Sequence, residues 1–174
     1  IKKEAEQIKT STNYIEQSRY YARIAFLNLL NANLSGLKFA TKNFFKIKNL
    51  SDFAVAYGEY FRGAICWWEN AMEKTIHEFE PVINHRYKSN TRQSTDAYIA
   101  QSLALQALNR PKEATIIIAQ FNEFAIEHKE LNKLAAVRAG HARLALIQRS
   151  QENGIIWINS VESLILDPSF FLWL

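Results

Sequence analysis

Glycine, proline and cysteine are all scarce in this chain. Its 174 residues include five Gly, three Pro and one Cys. All-β folds need more turn-forming residues than this, so the composition favours long helices. The single cysteine, Cys66, excludes a disulfide bond within the chain and is typical of a reducing compartment.

Targeting and membrane-spanning signals are also missing. The first residues, IKKEAEQIKTS, are polar, and no apolar run approaches the roughly 20 residues needed to cross a bilayer. The composition, 48% hydrophobic and 22% charged, is that of a globular protein. We therefore expect a cytoplasmic protein without membrane contacts. The absence of an initial Met and the abrupt apolar end, SFFLWL, suggest a fragment of a larger protein.

Positive charge is concentrated near the start of the chain. Residues 1–50 carry nine Lys or Arg and three Asp or Glu, whereas residues 51–174 carry twelve and fourteen. Lys38, Lys42 and Lys46 are spaced four apart, on one face of a predicted helix. This face is either an ordinary solvated surface or an anion patch. No recognition-helix signature supports a nucleic-acid site, so we expect no direct nucleic-acid binding.

Apolar residues recur at helical spacing in eight segments of the chain. The predicted helices cover residues 4–32, 37–48, 52–68, 72–84, 91–108, 111–128, 130–149 and 153–166. Ser51 or Asp52 is suited to cap the third helix, and Pro111 suits the first turn of the sixth. Gly58 and Gly63 lie inside the third helix, so we expect a neighbouring helix to pass close to them.

These helices form pairs that repeat along the chain. Leu37, Thr75, Ala114 and Gly154 occupy equivalent positions in the second helices, at intervals of 38, 39 and 40 residues. Twelve residues before each of them stands a small residue, which allows helices to pack closely: Ala25, Gly63, Ser102 and Ala142. The pattern predicts an all-α, right-handed superhelix of about four antiparallel helix pairs, as in elongated tetratricopeptide (TPR-like) repeats. The units cover about 4–48, 52–84, 91–128 and 130–166, in one domain over 1–174.

Three stretches resemble a known family. HRYKSNTRQSTDAYIAQSLALQALNRPKEA (85–114), ARLALIQRSQENGIIW (142–157) and SFFLWL (169–174) are similar to the helical-repeat region of MalT-like bacterial transcription activators. These are ATP-dependent regulators with a LuxR-type DNA-binding end. The chain departs from the family at Asn109 and Arg149, where Gly is usual. The resemblance implies a sensor region that receives an inducer or a partner protein, with the ATPase and DNA-binding modules outside this chain.

The repeat register also predicts which side chains line a concave binding face. Aromatic rings with hydroxyl or indole N–H groups, beside polar residues, suit a sugar-like molecule or a peptide. The predicted ligand- or partner-binding residues are Arg19, Tyr57, Tyr60, Trp67, Asp96, Gln106 and Arg143. The other interpretation is that the aromatic residues only pack between helices. We therefore expect a non-catalytic sensor or effector-binding domain, or alternatively a general protein–protein interaction scaffold. Oligomerisation is left open.

The segment HRYKSNTR (85–92) permits two interpretations. Its basic side chains flank a predicted helix start at Asn90 or Thr91, where an anion could bind. Alternatively, the segment fixes the corner between two units through hydrogen bonds. Asp96 is expected to pair with Arg92, one turn before it.

Nothing in the sequence resembles a catalytic centre. Glu73, His77 and Glu80 come nearest to a metal-binding set, but they are more typical of an outer helix face. No Gly-rich phosphate loop occurs, and Cys66 is expected to be a buried apolar residue rather than a nucleophile. We therefore expect no catalytic residues, no metal site and no cofactor.

Overall fold

The described part of the protein is entirely helical. The computed structural model describes residues 13–129, 131–152 and 154–156, and these contain no β-strand. The elements are α1 (Tyr14–Leu30), α2 (Leu34–Phe44), α3 (Asp52–Trp68), α4 (Met72–Asn84), a 3-10 helix (Arg86–Lys88), α5 (Thr91–Ala107), α6 (Pro111–His128) and α7 (Leu131–Ile147). The all-α prediction is confirmed for these residues.

Local sequence signals explain where several helices begin. The Ser51 hydroxyl accepts a hydrogen bond from the backbone N–H of Ala54 at 3.2 Å, so Ser51 is the cap of α3. At the start of α5, Asn90 and Gln93 form a reciprocal capping box. Pro111 occupies the first turn of α6, where its missing N–H costs nothing. As a result, α3 and α6 begin where predicted. Helix α4 also has the predicted bounds, although no side chain caps its start.

The first two helices differ from the prediction. The first was predicted as 4–32, but Asn13 is the cap of α1, which begins at Tyr14 and ends at Leu30. The second helix was expected to reach residue 48, but α2 ends at Phe44. The chain then turns, and Asn49 takes a left-handed conformation with φ 56°. Pro81 lies inside α4, which continues to Asn84 as predicted. Two predicted stretches lie outside the described residues. They are 4–12, at the start of the first predicted helix, and 157–166, at the end of the last one.

The chain forms two compact units, Ile1–Ser89 and Asn90–Leu174, each with its own packing. In unit 1, α1 and α2 pair, α3 packs against both of them, and α4 pairs with α3. In unit 2, α5 and α6 pair, and α7 packs against both. The same arrangement of a helix pair followed by a third helix therefore occurs once in each unit.

The corners within the helix pairs are equivalent. A residue with left-handed φ follows each first helix, at Ala32, Asn70, Asn109 and Arg149, with φ of 53°, 57°, 59° and 54°. One residue further on, the backbone N–H donates to the carbonyl five residues earlier, as in a Schellman motif. These bonds join Asn33 to Asn28 at 2.8 Å, and Ala71 to Cys66, Arg110 to Leu105 and Ser150 to Ala145 at 2.9 Å. The corners recur at intervals of 38, 39 and 40 residues, which confirms the spacing predicted from the sequence.

The predicted small residues lie in the interior. Ala25, Gly63, Ser102 and Ala142 are all buried. A Cβ atom at Gly63 would lie 2.6 Å from the ring of Phe79 on α4, and one at Gly58 would lie 2.5 Å from the ring of Phe45. The close approach of a neighbouring helix is therefore confirmed at Gly63, whereas the neighbour of Gly58 is Phe45, just beyond the end of α2.

Candidate binding surfaces

The predicted binding residues of unit 1 differ widely in exposure. Arg19 is exposed on α1, whereas Tyr57 and Trp67 on α3 are half-buried. Tyr60, also on α3, is 0% exposed. These four side chains therefore include one on the surface, two at its edge and one in the core.

A continuous run of aromatic rings leads from the surface of α3 into the core. The ring of Tyr57 lies 5.2 Å from that of Phe53, which is half exposed, and 6.2 Å from that of Phe61. The ring of Tyr60 lies 5.5 Å from Phe61 and 6.2 Å from Phe79. A molecule reaching Tyr60 would first have to displace these rings. For Tyr60 the packing interpretation has the stronger support, while Tyr57 is half-buried at the edge of the protein.

In unit 2, Asp96 is placed in the interior. It is 1% exposed, and its Oδ2 lies 3.7 Å from Nε of Arg92. The predicted pairing with Arg92 is thus present. The Asp96 carboxylate therefore lies beside a guanidinium and away from solvent, not on an exposed binding face.

Gln106 and Arg143 lie at the edge of unit 2. Both side chains are half-buried. The Oε1 atom of Gln106 accepts a hydrogen bond from Nε2 of Gln148 at 2.8 Å. This bond links the end of α5 to the residues after α7, so it occupies one of the polar groups expected to face a ligand.

Helix α5 is buried around its whole circumference, a feature the sequence prediction missed. Every residue from Gln93 to Leu105 is buried. Six of them are polar: Gln93, Ser94, Thr95, Asp96, Gln101 and Ser102. The Ser102 hydroxyl donates to the carbonyl of Ile99 at 2.8 Å, but Nε2 of Gln93 and Oγ1 of Thr95 have no hydrogen-bond partner. The only signal in the sequence was the even mixture of small, apolar and polar residues without a polar face.

Side chains of the segment 85–92 contact α3, each other and the start of α5. Nζ of Lys88 donates to Oδ2 of Asp52 at 2.7 Å, and this bond lowers the pKa of the Asp52 carboxyl. The guanidinium of Arg86 lies 4.8 Å from the ring centre of Tyr87. Asn90 forms the capping box of α5. These contacts occupy Arg86, Lys88 and the start of α5, the groups to which an anion would otherwise bind.

The lysines of α2 are part of an ordinary solvated surface. Lys38 forms an ion pair with Glu69. Lys42 and Lys46 are exposed, and Nζ of Lys46 donates to Oδ1 of Asn43 at 3.3 Å. The three lysines are thus spaced four residues apart, but their side chains have different neighbours.

The titratable groups of α3 show no sign of an activated nucleophile. Cys66 is half-buried, and burial raises the pKa of its thiol, which keeps the thiol protonated at neutral pH. Burial also raises the pKa of the Glu59 carboxyl. In the ranges that the structure describes, no group of three His, Cys, Asp or Glu residues could hold a metal ion. Among those same residues, no helix has the length and apolar character to cross a membrane.

Comparisons with known proteins do not place the chain in a family. No protein-family profile, curated protein or solved structure matches it. The candidate surfaces are therefore interpreted from their own geometry.

Proposed function

We propose that this chain is a non-catalytic helical-repeat module that binds a polypeptide partner. The observation that supports this function is the recurrence of one corner, with the same left-handed residue and the same backbone bond, at intervals of 38, 39 and 40 residues. Proteins built from repeated helix pairs characteristically present extended binding surfaces.

The proposal includes a TPR-like superhelix. Helix pairs that are joined by equivalent corners and that add a third helix in the same way stack into a right-handed array. In such an array the first helix of each pair, namely α1, α3, α5 and α7, lines the inner side. Arg19, Tyr57, Trp67 and Arg143 belong to these helices and are exposed or half-buried.

A polypeptide is favoured over a small molecule as the ligand. Two of the polar side chains expected in a small-molecule site, Tyr60 and Asp96, are buried. A third, Gln106, is hydrogen-bonded to Gln148. The accessible candidates are long or aromatic side chains, the types that anchor protein–protein interfaces.

The biological setting follows from the sequence resemblance alone. The likeness of 85–114 to MalT-like activators supports a place for this module in the sensor region of a cytoplasmic bacterial regulator. The complete reading frame tests this setting, because ATPase and DNA-binding modules should flank the repeats.

Affinity capture with matched variants tests the function. We expect immobilised wild-type protein to retain a specific partner, and we expect Tyr57→Ala and Trp67→Ala to weaken the retention. The control is Tyr87→Ala, which removes an exposed tyrosine elsewhere in unit 1 and should leave the retention unchanged. Circular dichroism establishes that each variant remains helical.

A parallel thermal-shift screen distinguishes a polypeptide ligand from a small-molecule ligand. If a sugar or nucleotide raises the melting temperature of the wild type but not of Trp67→Ala, the ligand is a small effector and the polypeptide proposal is wrong. If no compound shifts the protein and the Tyr57 and Trp67 variants retain the same proteins as wild type, these aromatic residues are packing residues only.

A further inference from the structure

Helix α1 exposes a mixed apolar and basic face. Ile15, Arg19, Arg23, Leu27 and Leu30 follow one another at spacings of four, four, four and three residues. Since successive residues turn by about 100° on an α-helix, all five lie within an arc of about 120°. All five are exposed, and the apolar members are 63%, 53% and 44% exposed at Ile15, Leu27 and Leu30. We call these five residues the α1 face.

The two arginines of the α1 face are not neutralised. Residues 17–51 contain six Lys or Arg and no Asp or Glu. Within the described ranges, the ion pairs of unit 1 involve Lys38, Arg62 and Lys88, not Arg19 or Arg23. The face therefore combines two adjacent positive charges with exposed aliphatic side chains at both ends.

We propose that the α1 face binds an acidic amphipathic helix of a partner protein. The proposal rests on the polypeptide-binding function proposed above and identifies the chemistry of the partner. Two carboxylates one turn apart on such a helix would meet Arg19 and Arg23, whose Cα atoms are separated by about 6 Å along α1. Leucine or isoleucine side chains on either side of them would cover Ile15, Leu27 and Leu30. Anchors at spacings of three and four residues are the usual pattern of helix recognition.

Other anionic partners fit this face less well. Single-stranded nucleic acids stack their bases on aromatic rings, but the apolar residues of the α1 face are aliphatic. Anionic membranes are recognised by clusters of about four to eight Lys or Arg, but this face has two. A helix that carries carboxylates flanked by aliphatic side chains complements both the arginines and the aliphatic residues of the α1 face.

Fluorescence anisotropy with a defined probe tests the proposal. The probe is a labelled synthetic helix of about 20 residues, with Glu and Leu arranged on one face at spacings of three and four. We expect binding to wild type that weakens as salt is added, because the ion pairs lie at the surface. The double variant Arg19→Glu/Arg23→Glu should bind about tenfold or more weakly, and Arg19→Gln/Arg23→Gln should fall between it and wild type. Leu27→Ser should also weaken binding, by several-fold.

The matched control reverses two other charges in the same hairpin. Lys42→Glu/Lys46→Glu changes the net charge by the same amount as Arg19→Glu/Arg23→Glu, but these lysines lie on α2 and beyond its end. We expect this variant to bind within about twofold of wild type, after the general effect of net charge is suppressed at moderate salt. Circular dichroism and the melting temperature check that the exposed substitutions preserve the fold.

Three results would overturn the proposal. The first is no binding of the acidic helix by wild type. The second is equal loss in the Lys42/Lys46 and Arg19/Arg23 variants, which would indicate nonspecific attraction. The third is Arg19- and Arg23-dependent binding of oligothymidylate or phosphatidylserine vesicles in place of the peptide. If partner capture still depends on Tyr57 and Trp67 when the peptide fails, the polypeptide-binding function stands and only the acidic-helix inference falls.

Discussion

Gly63 shows how much can depend on a single missing side chain. A Cβ atom there would lie 2.6 Å from the ring of Phe79, and that residue is fully buried. We therefore expect Gly63→Ala to lower the free energy of unfolding by about 1–3 kcal/mol through overpacking. Urea unfolding followed by circular dichroism measures the change.

Gly154 supplies the control for this substitution. A Cβ atom at Gly154 would have no neighbour within 4 Å, and the residue is helical. Gly154→Ala should be neutral or should stabilise by up to about 1 kcal/mol, because Ala favours helices over Gly. Equal destabilisation by both substitutions would show that close packing at Gly63 is not the cause.

At the residue scale, the sequence predicted which positions pack closely, but it did not predict which side chains are exposed. Small residues at the repeat positions correctly indicated close packing, because only small side chains fit there. Tyr57 and Tyr60 were both assigned to a binding face, yet only Tyr57 reaches the edge of the protein. Their positions differ by less than one helical turn, and a repeat register cannot resolve which of two neighbouring tyrosines is covered. Asp96 was misjudged as well, because periodicity gives no information on a helix that is buried on every side.

At the scale of the helix pair, the left-handed corner residue can be tested directly. A left-handed conformation costs a residue with a Cβ roughly 1 kcal/mol relative to Gly, and Asn tolerates it better than Ala or Arg. We expect Ala32→Gly and Arg149→Gly to stabilise the protein by about 0.5 kcal/mol, after the entropy that Gly loses on folding is subtracted. Thermal and urea unfolding measure the change.

The asparagine corners provide the comparison. Asn109→Gly and Asn70→Gly should change the free energy of unfolding by less than the Ala32 and Arg149 substitutions do, because asparagine already adopts this conformation readily. A larger gain at Asn109 than at Arg149 would contradict the assignment of strain to these corners.

Helix bounds could be predicted where the chain carries a chemical signal. Ser51 and Pro111 mark the beginnings of α3 and α6, and the structure begins both helices at the next or the same residue. The end of α2 carries no such signal in its apolar pattern, since Phe45 and Ile47 continue the helical spacing. The turn through Asn49 depends on a left-handed backbone conformation, which the spacing of apolar residues does not reveal.

At the scale of the whole molecule, the division into two compact units predicts that a destabilising substitution acts mainly on the unit that contains it. In helical-repeat proteins each pair interacts mainly with its neighbours, so destabilisation need not spread evenly. We expect Gly63→Ala to accelerate amide hydrogen exchange in Asp52–Asn84 of unit 1 and to leave Pro111–His128 of unit 2 close to wild-type rates. Exchange measured by mass spectrometry resolves these segments. Equal acceleration in both would indicate one cooperative unit.

The four equivalent corners also bear on how such a chain can change length. Each corner closes through the same backbone bond whether its left-handed residue is Ala, Asn or Arg. A gene segment that begins at one corner and ends at the next therefore encodes the second helix of one pair and the first helix of the next, with compatible junctions at both ends. Duplicating or removing such a segment requires no new kind of turn, so the number of helices can change while every corner keeps the same backbone bond.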